Sequence, residues 1–117
     1  MNAKEAIQHL HERHPLVVDA PDDELAPGGL QLEFYWFQGH VCDLIDERQE
    51  RALKRSFETM HQVVVRGDDV VKNAVYGDFV QPELIFHPDL EWAKEHMPEL
   101  LADMCALARK TIDQIAG

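Results

Sequence analysis

Seven histidines in 117 residues are the first candidates for chemistry, and three of them crowd the segment HLHERH as His9, His11 and His14. Zinc requires three or four convergent ligands. On a helix His9 and His11 point about 200° apart, so only His11 and His14 can share a face. The segment is read as the polar end of a helix. Glu58 and His61 form a single Glu-x-x-His, whereas a di-iron bundle needs that pair from two helices plus further carboxylates. His40 and Asp43 lie one turn apart, as a base and its orienting acid would, but in a Phe- and Val-rich stretch that favours a hydrogen-bonded, partly buried imidazole. Ser56 is the only serine and has no glycine-flanked elbow. Cys42 and Cys105 stand beside Asp43 and Asp103, a setting that opposes thiolate formation. They form no CxxC pair and no zinc spacing. Gly28-Gly29 lacks the pattern of a phosphate-binding loop. The pattern therefore predicts no catalytic constellation, no metal and no cofactor.

Charge carries more information. Eleven Lys and Arg face twenty-two Asp and Glu, a net charge of −11. Residues 1–28 hold two bases and six acids, residues 29–66 five and six, and residues 67–117 four and ten. Such an excess opposes binding to bare nucleic acid, which requires cations to displace phosphate counterions, and to anionic membrane surfaces. It suits instead a basic protein partner, steered by long-range attraction. The candidate contact residues are Asp68, Asp69, Asp78 and Glu83 near one helix, Asp22, Asp23 and Glu24 in a loop, and Tyr76. Tyr35 and Trp36 also lie off the apolar seam of their segment, and such aromatics commonly anchor interfaces.

The elements that must position these groups are read as helices. At 45 % hydrophobic residues the chain can build one core, and its length suits one domain spanning residues 1–117. Asn2 and Glu5 have capping-box spacing, Ala3, Ile7 and Leu10 form a stripe, and Pro15 ends the helix near His14. Residues 19–29, with two Pro, two Gly and four acids, are read as an acidic loop. Leu30, Leu32, Phe34 and Trp36 alternate like a strand. Leu30, Phe34, Phe37, Val41, Leu44 and Ile45 make a longer helical seam, which prevails despite Gly39.

A third helix over residues 49–65 buries Leu53, Phe57, Met60 and Val64 and turns Arg48, Arg51, Lys54 and Arg55 to water. Arg66-Gly67 has the residue order of a helix end. Asp68 and Asp69 open a fourth helix with Val71, Val75 and Phe79 inward, limited by Pro82. His87-Pro88 marks a break, Asp89 a cap, and Pro98 the first turn of a last helix whose inner stripe is Leu101, Met104, Ala108, Ile112 and Ile115. The expected fold is all-α, a compact bundle or short solenoid-like packing of five to six helices. The N-terminal residues MNAKEAIQHLHERHP contain no apolar stretch of signal-peptide length, which predicts cytoplasmic residence.

The stretch RGDDVVKNAVYGDFVQPEL, residues 66–84, resembles a signature of small, largely uncharacterised bacterial all-helical domains, on Gly67, Asp68, Val71, Asn73, Ala74, Val75 and Phe79. Met97-Pro98-Glu99-Leu100 is similar to the proline-led start of that family's last helix. The likeness covers residues 53–104, with Gln81 standing where an acid is usual, followed by Pro82. It implies an immunity protein of a secreted toxin system and no catalytic residues. The resulting expectation is an acidic helical binding protein that neutralises a basic toxin domain, such as a nuclease, by occluding its active site with carboxylates placed where phosphates would sit. The alternatives are a metal-dependent or acid–base enzyme using His, Asp and Glu, and a self-associating helical adapter.

Overall fold

The computed structural model describes residues 1–15 and 29–116, and the predicted loop contacts Asp22, Asp23 and Glu24 lie outside the described residues. Seven α-helices and no strand occur among the described residues: α1 (Ala3–Arg13), α2 (Gly29–Asp46), α3 (Glu50–Arg66), α4 (Asp69–Ala74), α5 (Pro82–Ile85), α6 (Leu90–Lys94) and α7 (Glu99–Ala116). A π-helical segment, Val75–Phe79, continues α4. The all-α expectation holds.

Helix α1 starts as its sequence dictates. The Asn2 side chain accepts from the Glu5 amide at 2.9 Å, and the Glu5 carboxylate accepts from the Asn2 amide at 3.1 Å. Its buried stripe is Ala6, Ile7 and Leu10, with Ala3 half-buried. Helix α2 is the axis of the fold, packed against α1, α3, α4, the π segment and α5. Every member of its predicted seam is buried, Leu30, Phe34, Phe37, Val41, Leu44 and Ile45. Gly29, expected to close the loop, is its first residue.

The turn from α2 to α3 has no glycine. The Arg48 amide donates to the Ile45 carbonyl at 3.1 Å and the Gln49 amide to the Leu44 carbonyl at 2.9 Å, with Arg48 left-handed at φ 54°. This is a Schellman ending carried by an arginine instead of the usual glycine.

Helix α3 buries the predicted Leu53, Phe57, Met60 and Val64, together with Val63, Ser56 and Thr59. The two hydroxyls donate to carbonyls one turn back, Ser56 to Ala52 at 2.9 Å and Thr59 to Arg55 at 3.0 Å. Gly67 follows as expected, but with extended backbone. A Cβ there would lie 2.6 Å from both the Val63 carbonyl oxygen and Val71 Cγ1. Glycine is needed for the close approach of α3 to α4, not for a left-handed cap.

Asp68 caps α4, its carboxylate accepting from the Val71 amide at 3.0 Å. The ladder then widens, with the Val80 amide donating to the Val75 carbonyl at 3.0 Å, and Val75, Phe79 and Val80 all turn inward. Three sequence expectations are corrected further along. Asp89 makes no side-chain cap bond at α6, because its carboxylate is taken by Arg48 at 3.1 Å. Pro98 precedes α7 instead of occupying its first turn. The inner stripe of α7 is Leu101, Cys105 and Ala108, with Met104 and Ile112 half-buried and Ile115 82 % exposed, because α7 continues past the helices it packs on.

Candidate functional site

The histidines are distributed, not convergent. His9 Nε2 meets Gln62 Oε1 at 2.8 Å, His11 Nε2 meets Glu33 Oε1 at 3.3 Å, and His14 Nε2 meets Thr59 Oγ1 at 2.9 Å. Thr59 donates its own proton to the Arg55 carbonyl and also accepts from Arg13 Nε at 2.8 Å, so His14 is the donor toward it. The ring of His14 is buried edge-on to Phe37, with centroids 4.9 Å apart. Burial first, then the cations of Arg55 and Arg13, lower its pKa to about 4. Among the described residues no three His, Cys, Asp or Glu side chains group to hold a metal ion.

The structure contains a carboxylate–imidazole pair that sequence spacing could not reveal, since its members are 41 residues apart. His87 Nε2 lies 2.6 Å from Asp46 Oδ1, and the Asp89 amide donates to His87 Nδ1 at 3.0 Å. The amide proton fixes the lone pair on Nδ1, so Nε2 carries hydrogen and donates to Asp46. To take up a proton at Nδ1, the ring would first have to give up the Asp89 amide. The pair ties the α2–α3 corner to the start of α6. Arg48 completes the tie, with its guanidinium carbon 4.5 Å from the centre of the Trp92 ring.

The thiols are held protonated. Burial raises Cys42 to about 11, with Asp46, Glu83 and Asp43 adding to the rise and a 3.0 Å contact from Gln38 opposing it. Burial also raises Cys105 to about 11. Glu58 is exposed while His61 is half-buried, so the Glu-x-x-His pair does not build a buried ligand set.

Among the described residues, the second face of α2 is accessible. Leu32, Tyr35 and Trp36 are 51 %, 48 % and 43 % exposed, opposite a seam that is fully buried. Their spacing continues through Gly39 to Asp43, one turn at a time along the helix. Together with Gln38, His40, Cys42 and Glu83 from the first turn of α5, Tyr35, Trp36, Gly39 and Asp43 line an open groove of about 790 Å³. Among the described residues its lining includes two carboxylates and no Lys or Arg. Burial lowers the pKa of His40 against the opposing pull of Asp43 and Glu47, which disfavours its charged form.

Of the residues singled out by charge, Glu83 alone among the described ones lines this groove. Asp68 is engaged as the α4 cap, and Asp69 is exposed in the first turn of that helix. Tyr76 is half-buried, its hydroxyl 3.5 Å from Thr111 Oγ1 on α7. Asp78 is half-buried in the π segment, and burial raises its pKa. The sequence offers Asp43 as the orienter of His40 and as the acid beside Cys42, and its place among exposed aromatics follows from α2 having two apolar faces. Among the described residues no helix is long and apolar enough to cross a membrane. Neither a protein-family model, nor a curated protein, nor a solved structure matches the chain.

Proposed function

We propose that this chain is a non-catalytic, cytoplasmic binding protein that neutralises a basic protein partner, in the manner of an immunity protein covering the cationic cleft of a toxin domain such as a nuclease. The observation that carries this reading is the exposed face of α2, where Tyr35 and Trp36 stand in a groove with Asp43 and Glu83 and, among the described residues, without a cation. Aromatic side chains of this kind supply contact area at low conformational cost, and carboxylates supply steering and complementarity. The net charge of −11 extends that steering beyond the groove. His14, His87 and Cys42, groups suited to acid–base or thiol chemistry, are by contrast engaged within the fold.

The test uses the protein encoded immediately upstream in the genome, co-expressed with this chain. A basic C-terminal domain should co-purify as a one-to-one complex and lose its toxicity. Its association rate should fall at least tenfold between 50 and 500 mM NaCl, because the Debye length contracts from about 14 Å to about 4 Å. A rate independent of salt would refute electrostatic steering, and an upstream product that does not bind would refute the assignment.

A further inference from the structure

Among the described residues nothing requires a glycine at position 39. It lies in the interior of α2, it has no left-handed backbone, and a Cβ built there meets no atom of the described residues within 4 Å. Gly67 is the contrast within the same chain, since a Cβ there would collide with Val63 and Val71. A glycine in mid-helix destabilises it relative to alanine through backbone entropy. Gly39 also sits in the floor of the groove, between the turn bearing Tyr35 and Trp36 and the turn bearing Asp43. A missing side chain at that place lets another chain lie close against the backbone of α2.

We infer that the groove over Gly39 is the docking site for an arginine-bearing segment of the basic partner, with the arginine stem crossing Gly39 and its guanidinium set between the Tyr35 and Trp36 rings and the Asp43 and Glu83 carboxylates. The inference rests on the proposed function and deepens it by naming the surface and the side chain it takes. Arginine fits better than lysine because its planar guanidinium both stacks on an aromatic ring and pairs with carboxylates. A second copy of this chain is a poor occupant. It would bring another charge of −11 to a face whose lining is already anionic.

The probe is a fluorescein-labelled, end-blocked hexa-arginine peptide, titrated by anisotropy at 50 mM NaCl. Gly39→Leu, Trp36→Ala and the pair Asp43→Asn with Glu83→Gln should each raise Kd at least fivefold. The charge-matched pair Glu58→Gln with Asp113→Asn, on α3 and α7, should change it less than twofold. Gly39→Ala should raise the melting temperature by about 3–6 °C, showing that the glycine is not kept for stability. Equal weakening by the groove pair and the control pair would reduce the binding to net charge and overturn the inference while leaving the broader reading in place. Unchanged affinity of Gly39→Leu would overturn it in the same way. Absence of any hexa-arginine binding to the parent protein would overturn both. A concentration-dependent dimer in sedimentation that Gly39→Leu dissociates would give the face to a second copy and overturn the assignment.

Discussion

His14 offers a quantitative check on how tightly α1 is packed. Its ring lies against Phe37, and its Nε2–H is directed at Thr59. The charges facing it are Arg55, Arg13, His40 and His9, so protonation would place a cation among cations. The folded-state pKa is about 4, against an ordinary histidine value of 6.5. The unfolded chain therefore binds more protons at every pH between those limits. Stability is fully present above about pH 6.5, falls as the pH drops through that window, and levels off below about pH 4. Integrating the two titrations gives a loss of about 1.8 kcal/mol between pH 7 and pH 5. Water at the C-terminal end of α1 screens part of this, leaving an expected loss of about 1–2 kcal/mol. With a urea slope of about 1.5 kcal/mol per molar, the unfolding midpoint moves by about 1 M.

The assay is urea unfolding followed by circular dichroism at both pH values, for the parent protein and for His14→Gln. Glutamine can still donate to Thr59 but does not titrate, and subtracting its pH dependence removes the contribution of the carboxylates. The stability difference between parent and variant should shrink by about 1–2 kcal/mol on going to pH 5. A difference constant to within about 0.3 kcal/mol would mean that His14 is protonated at no cost and that the described packing of α1 on Phe37 and Thr59 is wrong.

Three further outcomes follow from the same geometry. Gly67→Ala should lower stability by about 2–3 kcal/mol and the melting temperature by about 8–12 °C, because the added methyl group meets the Val63 carbonyl oxygen and Val71; a loss under about 0.5 kcal/mol in a thermal melt would contradict the α3–α4 contact. Arg48→Gly should be more stable than Arg48→Ala by about 1 kcal/mol, the reverse of their order in a helix interior, since both lose Asp89 and Trp92 but only glycine relieves the left-handed backbone; equal denaturation midpoints would count against the Schellman ending. Cys42 and Cys105, both at about pKa 11, should react with a thiol-specific disulfide reagent at pH 7.5 on the order of a hundredfold more slowly than free cysteine. Two rapid equivalents in the native protein would refute their burial.

The helices were legible where local signals and burial agree. Asn2 and Glu5 predicted a capping box and form one, and the seam from Leu30 to Ile45 is buried throughout. The strand-like alternation of Leu30, Leu32, Phe34 and Trp36 has a simple cause: Leu30 and Phe34 belong to the core face of α2, while Leu32 and Trp36 belong to its exposed face. Two apolar faces on one helix mimic a period of two over a short window. Contacts set by tertiary packing were not legible. The Arg48 ending has no glycine to announce it, Asp89 lost its capping role to a cation from another corner, and the Asp46–His87 pair closes over 41 residues. The insertion that makes the Val75–Phe79 segment a π-helix leaves no signature in a sequence whose apolar spacing, Val71, Val75 and Phe79, is that of an ordinary α-helix. Of the groove lining, Tyr35, Trp36 and Glu83 are legible in the sequence by position and charge. Asp68 and Tyr76 were chosen by the same criteria but have partners in the fold, because residue type alone does not distinguish a carboxylate free to meet a partner from one already capping a helix.

That distinction also bears on whether the chain is a catalyst or a binder. A group already bonded inside the protein must give up that bond before it acts on a ligand, and the exchange has a cost. His14 gives its Nε2 proton to Thr59, His87 has Nδ1 covered by the Asp89 amide and Nε2 against Asp46, and Cys42 sits under Gln38. Bringing substrate to any of them requires breaking a buried or half-buried hydrogen bond before chemistry begins, at about 1–3 kcal/mol each. Tyr35, Trp36, Asp43 and Glu83 stand in the opposite condition, at an open groove with their polar and aromatic surfaces toward water. A partner covering them gains apolar burial without dismantling the core of α2, whose other face is closed by Phe34, Phe37 and Val41. On the proposed reading the same helix separates two tasks by face, with stability on the seam and recognition on the groove. Substitutions at Tyr35, Trp36 and Asp43 should therefore change binding while leaving the unfolding transition within about 0.5 kcal/mol of the parent protein.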